Sequence, residues 1–442
     1  MLKIIGFYDH SLYFKGDVND PKKGEIDRTI PISSILSYSI YSNHAVWITN
    51  EGQGFAVGDN RGYNIIGTLE EKEYFDPVSF DFFDEEGHKC KLLSVVCGAC
   101  YTLYHVQSRT PEEPTRLAVV QWDKKKGVPL FLNLSGRNPI RLFGGRETSA
   151  AIDSNGSIII ITDSVFDDPS KPPPIFSLPD GEKATCVACG HNFIAALSLS
   201  GKLYNCKISS IGDVESIFKP VNELAGIRFV QVSATWDHRF AVSEDGRVFA
   251  RGSNSSGQIG FKRDTFAVSK YTQVQSLSKY KIVYAFAGYM HSLFITKEGT
   301  LLACGRNSFQ LLLPSDLQKS IVFHEPVETT IKKNATFAIA GPEVSAVFVD
   351  GKPPQSMPNL PIKADEFSDD FAHAKAHIEK AGNEDDDGYG DDVPRMKEVI
   401  TQLKKEKVSL LSEVEQLRRE LKESNERQMA LEKRIAQLEG KP

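Results

Sequence analysis

Long apolar runs are missing from this sequence, and cysteine, methionine and tryptophan are scarce. No stretch approaches the roughly 18 apolar residues that a membrane helix needs, so no span is expected. The opening, Met1-Leu-Lys-Ile-Ile-Gly-Phe-Tyr-Asp-His10, turns polar at once, and no secretory leader is expected. Seven cysteines, an odd number spread over 442 residues, do not resemble a disulfide framework. These absences point to a reduced, intracellular protein, cytoplasmic or nuclear. A large excess of one charge is also missing. The chain has 52 Lys and Arg against 58 Asp and Glu, a net charge of -6. A net acidic chain is a poor nonspecific binder of nucleic acid, because that affinity rests on neutralising phosphates. With 40% hydrophobic and 25% charged residues, the chain is neither wholly disordered nor collagen-like. At ~150 residues per domain, its length allows two or three domains, or one large β architecture with an appendage.

What is present is a repeat. Trp236-Asp-His-Arg-Phe-Ala-Val-Ser-Glu-Asp-Gly246 and Gly288-Tyr-Met-His-Ser-Leu-Phe-Ile-Thr-Lys-Glu-Gly299 share one template. A Gly or its substitute is followed three residues on by His, then a short apolar strand, then a turn Gly eleven residues from the start. The first slot falls at Tyr41, Gly98, Gly145, Gly190, Thr235, Gly288 and Gly341. The turn Gly recurs as Gly52, Gly156, Gly201, Gly246 and Gly299. A further Gly, at position 17 of the template, is kept as Gly58, Gly252 and Gly305. Segments such as Ala45-Val-Trp-Ile48 and Phe193-Ile-Ala-Ala-Leu197 suit a pleated sheet. Each unit therefore reads as a β-hairpin. One hairpin is marginal alone, so neighbouring units must cover each other. Seven such units predict an all-β, seven-bladed β-propeller over residues 1–352.

The phase of the repeat predicts how the ring closes. Lys352-Pro-Pro-Gln-Ser-Met-Pro358 cannot supply the seventh unit's second strand. Ile4-Ile5-Gly6 matches Ala56-Val57-Gly58 and Ala303-Cys304-Gly305. Residues 1–7 are thus expected to complete the last blade.

The pattern at 235–260 and 288–307 resembles the regulator of chromosome condensation repeat, and the resemblance covers about residues 1–352. It implies a seven-bladed propeller, commonly closed by exchange between chain ends. The family's founding member is a nucleotide exchange factor for a small nuclear GTPase and binds nucleosomes. Other members are scaffolds or regulators. No stretch matches an exchange-active wedge, so no site residue is carried over.

Candidate chemistry is thin. Cys97-Gly-Ala-Cys100 and Cys186-Val-Ala-Cys189 could supply four thiolates for zinc. They are out of register in the repeat, however, and small buried residues are the preferred reading. His44, His238 and His291 share one slot, which Tyr101 and Phe193 fill elsewhere. They are expected to be structural, each imidazole bonding backbone at the inner edge of its blade. Gly252-Ser-Asn-Ser-Ser-Gly257 lacks the ending of a phosphate loop and reads as a turn. Lys124-Lys-Lys-Gly127 is a basic hairpin tip, and the Asp167–Pro174 loop is proline-rich. No catalytic residue, metal or cofactor is assigned.

Composition shifts after Lys352. Residues 361–393 carry 11 acidic and 3 basic side chains, so 353–392 is expected to be an acidic flexible linker. Phe367, Phe371, Ala374 and Ile378 have helical spacing within it, and His373 and His377 lie one turn apart. Residues 393–439 follow a heptad pattern. Its expected dimer seam is Ile400, Leu403, Leu410, Val414, Leu417, Leu421, Leu431, Ile435 and Leu438, interrupted by Lys407, Ser424 and Gln428. β-Branched residues at the first heptad core position, with Leu at the second, favour a parallel pair. The expected protein is a non-enzymatic interaction scaffold that pairs with itself through this coil and presents propeller loops to a protein partner. The alternative is an exchange factor or regulator for a small GTPase. The propeller, with 37 basic and 38 acidic residues, is nearly neutral, which disfavours chromatin. Deleting residues 2–8 should lower the melting temperature in one cooperative transition; an unchanged melt would refute the closure.

Overall fold

The turn glycines show why each unit folds as a hairpin. Gly52, Gly156, Gly201, Gly246 and Gly299 have φ between 81° and 90°, a region that side chains disfavour. Each turn joins the second and third strands of a four-stranded antiparallel sheet. The computed structural model describes residues 2–5, 26–27, 35–41, 44–60, 73–99, 101–107, 113–121, 129–162, 165, 168–208, 217–307, 322–329, 331, 333–341, 345–350, 356–357 and 360–367. Seven four-stranded sheets are formed, with one added hairpin, Phe82–Phe83 with Lys89–Cys90.

Blade 1 runs from the inner strand outward as Ile35–Ile40, His44–Thr49, Gly54–Asp59 and Glu73–Phe80. Blade 2 is Leu92–Cys97, Tyr101–Val106, Arg116–Gln121 and Leu130–Phe131. Blade 3 is Pro139–Phe143, Ser149–Asp153, Ile158–Ile161 and Ile175–Phe176. Blade 4 is Ala184–Cys189, Phe193–Ser198, Leu203–Lys207 and Lys219–Pro220. Blade 5 is Phe229–Thr235, His238–Ser243, Val248–Ser253 and Ala267–Gln273. Blade 6 is Ile282–Ala287, His291–Thr296, Leu301–Arg306 and Val322–Glu328. Blade 7 is Ala335–Ala340, Ser345–Val349, Leu2–Ile5 and Ile26–Asp27. The hairpins expected from the repeat are the middle pair of each blade.

Inner strands of successive blades lie against one another, and Ala335–Ala340 meets Ile35–Ile40 to close the ring. The chain is a seven-bladed propeller. Closure follows the predicted phase. Ile5 stands opposite Ser345, as Cys304 stands opposite Ser292 and Val57 opposite Ala45. The N-terminal segment is the third strand of blade 7, and Ile26–Asp27 adds the fourth. Register shifts recur at the start of the inner strand, as between Ile35 and Ser37 and between Phe229 and Gln231. Such bulges increase twist where the strands approach the axis.

The core is a ring of layers between blades. Phe294 of blade 6 meets Phe240 of blade 5 edge to face at 5.2 Å. Phe337 of blade 7 meets Phe286 of blade 6 at 4.9 Å. The seam between blades 7 and 1 is filled by Tyr38 against Phe348 at 5.9 Å. Aromatic pairs of this kind add about 0.5–1.5 kcal/mol beyond their area burial.

The expectation of a flexible linker from residue 353 needs correction. The Ser356 amide donates to the Leu36 carbonyl at 3.0 Å, and Met357 is buried among residues of blades 6, 7 and 1. The Ile362 amide donates to the Thr185 carbonyl at 2.8 Å, Glu366 pairs with Arg141, and Phe367 is buried. Leu36, Thr185 and Arg141 all lie near the start of an inner strand. The segment therefore passes from the seam of blades 7 and 1 to blades 3 and 4, on the opposite side of the ring. Its apolar residues, spaced five apart at 357, 362 and 367, override the acidic average of the region. Phe367 follows a short 3-10 turn, Ala364–Glu366, rather than lying within an α-helix. The remaining expected linker, Phe371, Ala374 and Ile378, His373 and His377, and the whole coil with its seam lie outside the described residues. Phe367→Ala should cost about 3 kcal/mol, as for buried aromatics generally, read as a shifted urea midpoint; an unshifted midpoint would mean the strap is not seated.

Candidate partner-binding face

The four residues that begin at each first slot divide three tasks among them. The first-slot glycines lie under the side chain three residues on. A Cβ on Gly98 would stand 2.2 Å from the Tyr101 ring, and one on Gly288 would stand 2.3 Å from the His291 imidazole. Gly190 stands in the same relation to Phe193 at 2.3 Å, whereas at Gly145 a Cβ would strike the Thr148 carbonyl at 2.6 Å. Gly341 is buried at the same place in blade 7.

Each of the three histidines reaches a hydroxyl on the next blade. His44 Nε2 is hydrogen-bonded to Thr102 Oγ1 at 3.1 Å, His238 Nε2 to Ser292 Oγ at 3.1 Å, and His291 Nε2 to Ser345 Oγ at 2.8 Å. Each partner is the fourth residue after the next first slot, and that residue points back toward the preceding blade. Ser292 Oγ donates its proton to the Gln258 carbonyl at 2.7 Å, so His238 must donate from Nε2. Tyr101 reaches Ser149 Oγ at 2.6 Å by the same rule. Between blades 4 and 5 the pair becomes Arg239 over the Phe193 ring at 3.8 Å. Burial pushes the Arg239 guanidinium down to about 10. The loop after Ser253 is held by its own residues: the Asn254 side chain donates to the Thr265 carbonyl at 2.7 Å and accepts from the Ile259 amide at 3.2 Å.

The residue directly after the first slot faces the mouth of the ring. In blades 3 to 6 this residue is Arg146, His191, Trp236 and Tyr289, and the four form one cluster. His191 stacks on Trp236 at 4.2 Å and 21°. Tyr289 meets Trp236 edge-on at 5.6 Å, and the Arg146 guanidinium lies 4.3 Å from the Trp236 ring centre. The His191 amide donates to the Trp236 carbonyl at 2.8 Å, fixing the stack to the backbone. The Glu147 carboxylate lies beside both, 3.2 Å from His191 Nδ1 and 3.4 Å from Arg146 Nε. Asp237 lies beside Trp236, 44% exposed. Tyr41, Arg146, Thr235 and Ala340 line a shallow recess at the axis. These partly exposed rings and charges form a rigid surface with aromatic, cationic and anionic parts. Sequence reasoning passed over it, although one slot holding four large side chains in successive units was a readable signal.

The cysteine reading can be placed only in part. Cys97, Cys186 and Cys189 are buried, and burial pushes each thiol up to about 12. Cys186 Sγ donates to the Val232 carbonyl at 3.8 Å. Among the described residues no group of three or more His, Cys, Asp and Glu could hold a metal. Cys100 and the Lys124–Gly127 tip lie outside them.

Ring closure, repeated blades and one decorated mouth define a repeat propeller. The Regulator of chromosome condensation (RCC1) repeat matches residues 245–295, and a second description of it matches 229–258. Residues 229–295 thus carry the RCC1 repeat. The Ultraviolet-B receptor UVR8 of Arabidopsis thaliana is 31% identical over 135 residues, 29% of this chain and 30% of the receptor. The Secretion-regulating guanine nucleotide exchange factor of Bos taurus is 30% identical over 178 residues, 38% of this chain and 37% of that protein. The matches thus span about a third of these relatives. Among solved structures, human WBSCR16 superposes with a TM-score of 0.61 at 12% identity, over 79% of this chain and all of that one. Prp20p of Saccharomyces cerevisiae, solved with attention to its binding to Gsp1p and histones, gives 0.58 at 15% identity, over 86% and 94%. At such identities these structures show the fold alone.

Burial, and secondarily the nearby His238, holds the His291 imidazole down to about 3 from its ordinary 6.5. The unfolded chain then binds the extra proton between these values, so stability is complete above pH 6.5 and falls as the pH drops. This histidine should contribute a loss of about 1.4 kcal/mol per pH unit in that window. His291→Gln should flatten the pH dependence of urea unfolding between about 6.5 and 3; an unchanged slope would contradict the buried neutral imidazole.

Proposed function

We propose that this chain is a non-enzymatic interaction protein that presents the Trp236 face of its propeller to a protein partner. The stacked cluster of Arg146, His191, Trp236 and Tyr289 carries this reading. Aromatic and Arg side chains dominate the binding energy of protein interfaces, and here they are already ordered, which lowers the entropic cost of docking. The coil over residues 393–439 is proposed to pair two chains in parallel through Ile400, Leu403 and the seam beyond them. Two propellers per particle would then engage clustered partners with raised apparent affinity. An intracellular site of action fits the scarce, buried thiols.

The second reading is regulation of a small GTPase by nucleotide exchange. The exchange-factor name of the bovine relative favours it. Near neutrality of the propeller leaves nucleic acid the weaker partner class.

The test is quantitative affinity purification with the full chain, compared with Trp236→Ala and Arg146→Glu. Proteins that dock on this face should lose roughly tenfold or more in enrichment, the scale of a hot-spot truncation. Equal recovery by all three chains would refute the face. Light scattering should give twice the chain mass; a monomer would refute the pairing. Labelled-nucleotide release from the recovered GTPases decides the second reading.

A further inference from the structure

The outer strand of each blade is an exposed sheet edge, and such edges are usually blunted against pairing with other chains. Four blades here end in two-residue outer strands: Leu130–Phe131, Ile175–Phe176, Lys219–Pro220 and Ile26–Asp27. Three end in long ones: Glu73–Phe80, Ala267–Gln273 and Val322–Glu328. In two of the long strands a proline stands at an equivalent place. Pro77 comes three residues after Tyr74, which faces Gly58; Pro326 comes three residues after Phe323, which faces Gly305. In blade 5 the residue facing Gly252 is Val268, and three residues on stands Tyr271. The blade 5 edge is therefore the long one without a proline.

Both ends of this strand present pairing groups, on either side of a register shift opposite Ala250 and Gly252. The Val274 amide donates to Val248 and the Asn254 amide to the Phe266 carbonyl, so these even-numbered residues face the sheet. By alternation, Ala267 and Gln273 turn their backbone groups outward. No described strand pairs with this edge. Phe266, at its head, is 73% exposed, the highest value among the exposed large hydrophobics described. Lys270 on the strand and Lys262 and Arg263 on the loop before it are exposed, with Asp264 the acid among them.

We propose that the outer edge of blade 5 takes an extended acidic peptide from a protein partner as a fifth strand. The peptide's backbone pairs with the outward groups of Ala267 and Gln273. Its carboxylates face Lys262, Arg263 and Lys270, and an apolar side chain covers Phe266. This is strand addition, with main-chain bonds supplying affinity and side chains supplying selectivity. It is independent of the Trp236 face.

The experiment uses the full chain and a fluorescein-labelled octapeptide of alternating glutamate and valine, followed by anisotropy. The matching lysine–valine peptide is the control. Saturable binding of the acidic peptide is expected, with little binding of the basic one. Ala267→Pro removes an outward amide, as a proline does on the outer strands of blades 1 and 6, though at a different place on the strand. Lys270→Glu reverses an exposed charge and leaves the ladder intact. Each should weaken binding roughly tenfold, about 1.4 kcal/mol, with the melting temperature unchanged. If Ala267→Pro lowers the melting temperature, Lys270→Glu alone decides. No binding by the parent chain, equal binding of the basic peptide, or full binding by Lys270→Glu would overturn the proposal. Self-association abolished by Ala267→Pro would assign the edge to a second copy and overturn it equally.

Discussion

A four-stranded blade has two faces, and in this molecule only the neighbouring blades can cover them. Every inter-blade layer is therefore needed, and the ring is stable as a whole or not at all. The layer between blades 7 and 1 is the critical one, because there the two ends of the propeller chain must meet. Leu2–Ile5 completes blade 7 against Ser345–Val349, and Tyr38 packs on Phe348 across the seam. The strap at 356–367 then ties that seam to blades 3 and 4. Two connections far apart in sequence thus hold one closure.

The same geometry produces the candidate site. A glycine at the first slot leaves room for the ring or imidazole three residues on, which turns toward the next blade. The fourth residue turns back to meet the preceding blade. The residue directly after the first slot, freed from packing, is left at the mouth of the ring. His291 with Ser345, Tyr101 with Ser149 and Arg239 with Phe193 are chemically different solutions of one contact. Each hydrogen bond of this kind contributes about 1 kcal/mol net, while leaving a buried partner unpaired costs more. The mouth residues carry no such burden, so Arg146, His191, Trp236 and Tyr289 can serve a surface role.

Much of the fold was legible because the repeat places equivalent residues at equivalent heights. Blade number, turn glycines and the phase of closure all follow from that periodicity. The inner and outer strands of each blade were less legible, being separated by loops of unequal length. The hydroxyl partner of each histidine was not foreseen because the repeat was read within units, and the bond crosses between them. The strap was missed because an average over 361–393 is dominated by its acids. Met357, Ile362 and Phe367 are few, and they obey no helical or strand period.

The sequence by itself determined the number of blades, the positions where only glycine fits and the segment that closes the ring. These are local or periodic constraints, set by backbone conformation and by repeated spacing. Only the tertiary structure decided which side chains meet across blades, that four residues from four units stack into one surface, and that the chain returns across the ring after blade 7. Those contacts join residues about fifty or more positions apart. Their distances are fixed by the curvature and closure of the propeller, which no single unit contains.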